Sequence, residues 1–190
     1  ACLVGSEMCI RDRTTARLPW LLIGMIGGIG NSMILGNFDA TFAAHPEMAL
    51  YIPLIGGTGG NVGTQSSAII VQGLANSSLD AKNTFKQVTK EAVVALINAT
   101  IISLLVYTYN FIRFGATATV TYSVSISLFA VVMFASIFGT LVPMTLEKLK
   151  IDPAIATGPF IAITNDIIGM MLYICLLYTS PSPRDMRRSR

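Results

Sequence analysis

The stretch DPAIATGPFIAITNDIIGMMLY, residues 152–173, decides the fold. It is apolar and long enough to cross a bilayer, whose ~30 Å hydrocarbon core needs ~20 helical residues. Near its middle lies an acid, Asp166. An acidic side chain at the centre of a membrane helix costs roughly 2.5–3.5 kcal/mol, so such residues usually face a bundle interior or an aqueous path and have a function. The stretch therefore predicts a membrane helix with one functional face.

Small residues surround Asp166 on that face. At helical spacing they are Gly158, Pro159, Ala162 and Gly169, while the bulky apolar residues of the stretch lie mostly elsewhere. A face that is narrow and almost without side chains is typical of a helix that lines a pore. We therefore expect this helix to form one wall of a path through the membrane.

Composition places the rest of the chain in a membrane as well. The 190 residues are 53% hydrophobic and 12% charged, against roughly 25% charged in an average soluble domain. The formal net charge of +3 arises in the last residues, because residues 14–174 carry seven basic and seven acidic side chains. The body of the chain therefore lacks the basic excess that nucleic acid attracts, and we expect no nucleic-acid partner.

The two ends differ from this body. All three cysteines, Cys2, Cys9 and Cys175, lie in ACLVGSEMCIRDR at the start or in CLLYTSPSPRDMRRSR at the end. Both strings resemble translated adaptor sequence, so residues 1–13 and 175–190 are predicted to be artefactual or disordered; genuine polar tails are the alternative. The remaining domain, residues 14–174, has no cysteine, which excludes disulfides, thiolate metal sites and cysteine nucleophiles there.

Five apolar spans are predicted, each bounded by polar or turn residues. They run at about residues 18–37, 49–74, 91–112, 122–146 and 152–173. In the first span Gly24 and Gly28 form a GxxxG pair, with Gly27 and Gly30 beside them, which lets another helix approach closely. Glu91 begins the third span, where we interpret it as a boundary residue. The chain is therefore predicted to be an all-α membrane protein.

The basic residues favour one orientation of these spans. With the N-terminus inside, six basic residues of the body are cytoplasmic and only Arg113 is outside, which satisfies the positive-inside rule. The only histidine, His45, then lies in an outer loop, where a solvated residue is more typical than a metal ligand. We expect a multi-pass protein of the plasma membrane with a cytoplasmic N-terminus.

The second span contains the other unusual stretch, PLIGGTGGNVGTQSSAIIVQ, residues 53–72. A nucleotide-binding loop is excluded, because Val62 replaces the last glycine of GxGxxG and no Gly-Lys-Ser/Thr follows. The pairs Gly56/Gly60 and Gly59/Gly63 favour helix packing.

A pore wall is the other interpretation of this stretch, and it explains more of the residues. Five of them recur at helical spacing, namely Gly57, Asn61, Gln65, Ala68 and Gln72. Carboxamides facing lipid are costly, whereas in a water-filled cavity they and the carbonyls of a helix loosened by glycine suit a cation.

Three stretches carry a resemblance to a known family: RLPWLL at 17–22, PLIGGTGGNVGTQSSAIIVQGLA at 53–75 and the stretch at 152–173, with KE at 90–91. Over about residues 17–174 the sequence resembles the transmembrane domain of the MgtE family of magnesium channels and transporters. The resemblance implies a homodimer of five-helix subunits, with an ion path at the two-fold interface lined by the second and fifth helices. It also implies that cytoplasmic sensor and CBS domains precede the first span in the parent protein.

The resemblance implies site residues too. Asp166 matches the family's ion-binding aspartate, and Gly57 and Gly60 match glycines whose carbonyls face the pore. Thr64 and Gly158 depart from the family, since some members carry asparagine there. With Asp166 as the metal ligand, the predicted pore lining is Gly57, Gly60, Asn61, Thr64, Gln65, Gly158, Ala162 and Asn165.

These residues suit Mg²⁺ as the transported ion. Mg²⁺ prefers octahedral oxygen ligands and loses its waters reluctantly, so one acid among carbonyls and small side chains fits a largely hydrated ion. Two Asp166 carboxylates facing each other across a dimer axis repel, and a divalent cation relieves that repulsion. A divalent charge moving inward gains about 4.6 kcal/mol per 100 mV, twice the ~2.3 kcal/mol of a unit charge, so the membrane potential alone drives uptake.

Two other functions stay open. In a coupled divalent-cation exchanger, Asp166 would alternate between the metal and a proton or sodium ion. In a membrane-embedded packing subunit, the glycines would only dock partners. An intramembrane enzyme is disfavoured, because the spans contain neither the histidine nor the cysteine that a hydrolytic site would use.

Overall fold

The computed structural model describes residues 10–44, 46–76, 84–115, 119–151 and 158–179. Seven helices are found in these ranges: α1 Ile10–Gly36, α2 Asp39–Ala44, α3 Pro46–Ala49, α4 Ile52–Ala75, α5 Thr84–Phe114, α6 Thr119–Lys148 and α7 Pro159–Thr179. Across the described residues the regular structure is entirely helical. The prediction of an all-α protein is thereby confirmed, and the five long helices match the five predicted spans.

Four of these helices are long and apolar enough to cross a membrane. They are residues 17–36 of α1, all of α5, residues 120–148 of α6 and residues 159–176 of α7. Helix α4 has 24 residues, about 36 Å at 1.5 Å per residue, but its glycines, amides and hydroxyls dilute its apolar character. The chain is a membrane protein, and the count of five spans stays a prediction.

Two helices begin at residues that hydropathy did not indicate. Helix α5 begins at Thr84 instead of near Glu91, because its first polar turns contain no glycine or proline and continue the helix beyond the apolar segment. Helix α7 begins at Pro159, which suits the first helical turn, directly after Gly158 with φ +85°. That backbone conformation favours glycine. Residues 152–157, including Asp152, lie outside the described residues.

Helix α6 lies at the centre of the bundle and contacts α4, α5 and α7. Its inward side chains Val124, Leu128 and Val131 form the apolar core with Ile55 of α4 and Met170 of α7. Because the buried side chains of α6 pack against three neighbouring helices, α6 determines where those helices lie. Helices α5 and α6 are antiparallel, as the hydrogen bonds Ser136–Glu91 and Ser103–Ser125 show.

The segment from α3 to the start of α4 is hydrogen-bonded to the bundle. Met48 of α3 is fully buried, and its carbonyl accepts a 2.8 Å hydrogen bond from the hydroxyl of Tyr173 in α7. The hydroxyl of Tyr51 donates to the buried side chain of Asn110 in α5. These bonds hold the connection between α1 and α4 against the ends of α5 and α7. His45 lies outside the described residues.

Glycines set the closest approaches between helices. A Cβ at Gly139 of α6 would overlap the backbone of Gly63 in α4, and a Cβ at Gly27 of α1 would overlap Ile163 of α7. By contrast, no described atom lies within 4 Å of a Cβ at Gly24 or Gly28. The predicted GxxxG pair therefore makes no contact within the described chain, because the neighbouring Gly27 faces α7 instead.

Helix α1 is the least enclosed of the five long helices. It contacts chiefly α7, and its side chains Leu21, Ile26 and Met33 are 66–69% exposed. Between α1, α6 and α7 lies an apolar groove of about 610 Å³, lined among others by Trp20 and Phe138. Such exposure of large apolar side chains suits a helix in lipid or against another membrane helix.

Candidate functional site

The carboxylate of Asp166 lies in a groove that α4 forms with its glycines. A Cβ at Gly60 would lie 3.1 Å from Oδ1 of Asp166, and a Cβ at Gly56 would lie 3.8 Å from it. The same Cβ at Gly60 would lie 3.9 Å from the Cβ of Ala162. The structure therefore brings the small face of α7 against the glycine face of α4, which places Gly60, Ala162 and Asp166 together.

Asp166 is half-buried in this groove. Among the residues that the structure describes, none makes a hydrogen bond or an ion pair with its carboxylate. An ionised carboxylate taken out of water without a partner is costly, so such a group calls for water, a proton or a cation. The position can thus receive a positive charge that the described protein does not itself supply.

Beside this groove the predicted amide stripe of α4 faces out of the subunit. Gly57, Asn61, Gln65 and Gln72 are exposed, and Thr64 is half-buried. Exposed carboxamides in a membrane are costly when they face lipid. The stripe is therefore suited to water or to a second polar protein surface.

Helix α4 stays a regular α-helix along its glycine-rich part. Helix α4 runs without interruption from Ile52 to Ala75, and the hydroxyl of Thr64 donates to the carbonyls of Gly60 at 2.9 Å and Asn61 at 3.0 Å. A carbonyl oxygen has two lone pairs, so accepting one hydrogen bond does not by itself prevent it from accepting another or from binding a cation. The role of the Gly57 and Gly60 carbonyls as cation ligands stays a prediction. Gly158 precedes α7, and its carbonyl accepts the amide of Ala162 at 3.0 Å.

Asn165 differs from most of the predicted pore lining, in which only Gly60 is also buried. It is fully buried, its side chain lies against Gly63 of α4, and both of its side-chain polar atoms lack a hydrogen-bond partner among the described residues. Because it is adjacent to Asp166 on α7, its side chain points to another face of the helix. In the single subunit Asn165 therefore faces the interior between helices instead of the exposed stripe.

One group of residues was missed by the sequence interpretation. Ser66 of α4 donates a 2.7 Å hydrogen bond to Oε1 of Glu91 in α5, and Ser136 of α6 donates a 3.2 Å hydrogen bond to the same oxygen. Glu91 was interpreted as a residue at the boundary of the apolar span; the structure places it about two turns inside α5, where it also contacts α4 and α6. The available signal was the serine pair of α4, which lies away from the amide stripe at helical spacing.

No metal-binding cluster is formed by acids, histidines and cysteines together. Within the described ranges there is no group of three or more such side chains that could hold a metal ion. A cation at Asp166 in one copy of this chain would therefore need ligands other than a second acid, histidine or cysteine of the described residues, such as backbone and water oxygens. Such a ligand set suits a hard, hydrated cation.

Comparison with known proteins gives consistent matches. The family model MgtE, described as a divalent cation transporter, matches residues 52–176. The magnesium transporter MgtE of Bacillus subtilis (strain 168) is 32% identical over 157 residues, which cover 83% of this chain and 35% of that protein. The magnesium transporter MgtE of Thermus thermophilus is 32% identical over 159 residues, which cover 84% of this chain and 35% of that protein. The magnesium transporter MgtE of Enterococcus faecalis is 28% identical over 157 residues, which cover 83% of this chain and 34% of that protein. The chain thus spans about a third of the length of these curated relatives.

Proposed function

The chain belongs to the MgtE family of divalent cation transporters, and we propose that it carries Mg²⁺ across the plasma membrane with Asp166 as the cation ligand. One observation carries this proposal: the Asp166 carboxylate lies in a glycine groove with no protein partner among the described residues. A membrane protein keeps such a costly group where a cation or proton uses it. The magnesium transporters among its relatives favour Mg²⁺ as the cation.

The proposed path lies between two copies of the chain. The exposed amides of α4 adjoin the half-buried Asp166, and lipid is a poor neighbour for both. A second copy related by a two-fold axis would turn two stripes and two carboxylates toward each other and enclose a polar path. The amide oxygens would accept hydrogen bonds from waters around the ion, while the two charges of the carboxylates would hold it.

The membrane potential is the proposed driving force. A divalent ion moving inward gains about 4.6 kcal/mol per 100 mV, so no coupling ion is required. The basic residues favour one orientation of the chain: Lys90 and Lys148 lie at the same end of the antiparallel pair α5 and α6, and Arg113 lies at the other. The end rich in lysine is cytoplasmic by the positive-inside rule.

Ion flux in liposomes tests this function. The purified chain is reconstituted, and Mg²⁺ uptake is followed while the membrane potential, the pH gradient and the sodium gradient are set one at a time. We expect uptake that follows the potential and is unaffected by pH or sodium gradients. Uptake that requires an opposing proton or sodium gradient would replace the channel with an exchanger, and absence of flux would favour a packing subunit. Competition with cobalt and manganese measures selectivity.

A further inference from the structure

Glu91 is an acid within a membrane helix that the proposed ion path does not use. Its Oε1 accepts hydrogen bonds from Ser66 at 2.7 Å and from Ser136 at 3.2 Å, and the two serine oxygens are 3.2 Å apart. Ser66 and Ser136 are 4% and 2% exposed. A single carboxylate oxygen therefore joins α4, α5 and α6 at one buried point, through charge-assisted hydrogen bonds.

Helix α4 has few other contacts that fix its rotation about its own axis. Between Ile55 and Ile70 every buried residue of α4 is a glycine or a serine. Glycine contacts bring two backbones close, and the side chains of Val131 and Asn165 lie against Gly59 and Gly63, but the glycines contribute no side chain of their own. Ser67, the other buried serine, has no hydrogen-bond partner for its hydroxyl among the described residues. Ser66, which donates to Glu91 at 2.7 Å and lies 3.2 Å from the hydroxyl of Ser136, thus provides the directional side-chain contact in this part of α4.

Helix α5, which carries Glu91, is itself held in place against α6. Helix α5 is attached to α6 further along by the 2.7 Å hydrogen bond from Ser103 to the carbonyl of Ser125 and by the edge-to-face rings of Tyr107 and Tyr122, 5.7 Å apart. A carboxylate on α5 therefore has a defined position relative to α6. It can hold Ser66 in one place, and so adds a directional contact to the glycine packing of α4.

The rotation of α4 decides what the ion meets. Consecutive helical residues are separated by about 100° around the axis, so a rotation by one residue would replace Gly60 with Asn61 opposite Asp166. We propose that Glu91 is a positioning residue, which fixes the rotation of α4 and thereby keeps Gly60 against the Asp166 carboxylate and the amide stripe outward. Its consequence for transport rests on the proposed function, whereas the rotation itself does not.

A disulfide between α4 and α7 measures the rotation directly. A Cβ at Gly60 would lie 3.9 Å from the Cβ of Ala162, within the 3.5–4.5 Å typical of disulfides. In the full chain with Cys2, Cys9 and Cys175 replaced by serine, the pair Gly60→Cys/Ala162→Cys should oxidise readily. The neighbouring pair Asn61→Cys/Ala162→Cys should form little disulfide within one chain, scored separately from any disulfide between two chains, and serves as the reference for a rotated helix.

Variants at position 91 then separate positioning from mere stabilisation. Glu91→Leu removes the acceptor, and we expect oxidation of the first pair to fall and that of the second to rise. Glu91→Gln keeps a carbonyl oxygen for the serines and should restore the parental pattern, while Glu147→Gln at the exposed end of α6 should change nothing. Unchanged oxidation in Glu91→Leu would overturn the inference, as would equal loss of both disulfides or failure of Glu91→Gln to restore the pattern.

The flux assay adds the functional consequence. In Glu91→Leu the Mg²⁺ concentration for half-maximal uptake should rise roughly tenfold, the loss of one hydrogen bond to a charged group, while Glu91→Gln stays near the parental value. An unchanged half-saturating concentration in a chain whose α4 has rotated would contradict the link to transport. Failure of the proposed function would instead appear as absence of flux in the unmodified chain, and leaves the disulfide result valid.

Discussion

At the scale of single residues, the environment of Asp166 depends on the absence of side chains opposite it. A Cβ at Gly60 would come within 3.1 Å of its Oδ1, closer than ordinary van der Waals contact. The carboxylate is consequently close to the α4 backbone while part of it stays accessible from outside the subunit. Its charge is the feature that a divalent ion would recognise, because neutral oxygens alone hold Mg²⁺ weakly against water.

Replacement of Asp166 by asparagine tests that charge. Asp166→Asn keeps the size and one oxygen but removes two charges per dimer at the level of the ion. We expect selectivity for Mg²⁺ over monovalent cations to fall by about tenfold or more, with the dimer still assembled, as measured by flux in liposomes and by size-exclusion chromatography. Glu147→Gln, at an exposed and screened position, is the control. Unchanged magnesium flux and selectivity in Asp166→Asn would assign the aspartate to assembly.

At the scale of helices, close backbone approach holds α4 in the bundle. Gly63 of α4 lies against Gly139 of α6 and also against Asn165 and Ile161 of α7. Because a side chain at Gly139 would meet backbone atoms of Gly63, that contact cannot be relieved by a change of rotamer. The three helices that surround the candidate site therefore share one closely packed crossing.

An alanine at Gly139 tests this crossing. Gly139→Ala would place its Cβ against the Gly63 backbone, and overpacking of this kind typically costs about 1–3 kcal/mol. We expect a lower midpoint of thermal unfolding for the chain in detergent, followed by the loss of its monodisperse chromatographic peak. Gly28→Ala is the matched control, since no described atom lies within 4 Å of a Cβ there. Equal midpoints for the two variants would contradict the described contact between α4 and α6.

At the scale of the whole molecule, the orientation follows from charge and is accessible to labelling. Phe85, at the start of α5, and Leu50, just before α4, are 87% and 67% exposed and lie on opposite sides of the membrane in the proposed topology. In intact cells, an impermeant thiol reagent should label a cysteine in Leu50→Cys and not one in Phe85→Cys. The reverse pattern would invert the proposed topology.

The proposed dimer has its own test at this scale. Asn61 belongs to the exposed amide stripe of α4, whereas Ile101 is a 53% exposed apolar residue of α5. In the background without native cysteines, Asn61→Cys should form a disulfide between two copies in the membrane, because the two stripes face each other. Ile101→Cys should not, because it faces lipid. Cross-linking through Ile101→Cys alone would place the interface on α5 instead of on α4.

The sequence by itself determined the features that depend on local pattern. Hydropathy indicated the all-α membrane class. Helical spacing placed Asp166 and Ala162 on one face of α7, and it placed the amides of α4 together on one exposed face of that helix. The resemblance to MgtE is confirmed by the family model. These features follow from composition and from a 3.6-residue period, so they need no knowledge of the neighbouring helices.

Only the tertiary structure decided which residues meet across helices. Gly27 packs against Ile163, Asn165 is buried against Gly63, and Glu91 joins α4, α5 and α6. Each outcome depends on which helix lies opposite and on how that helix is rotated. Such information is distributed over residues far apart in the chain, and so no local pattern around any one of them contains it.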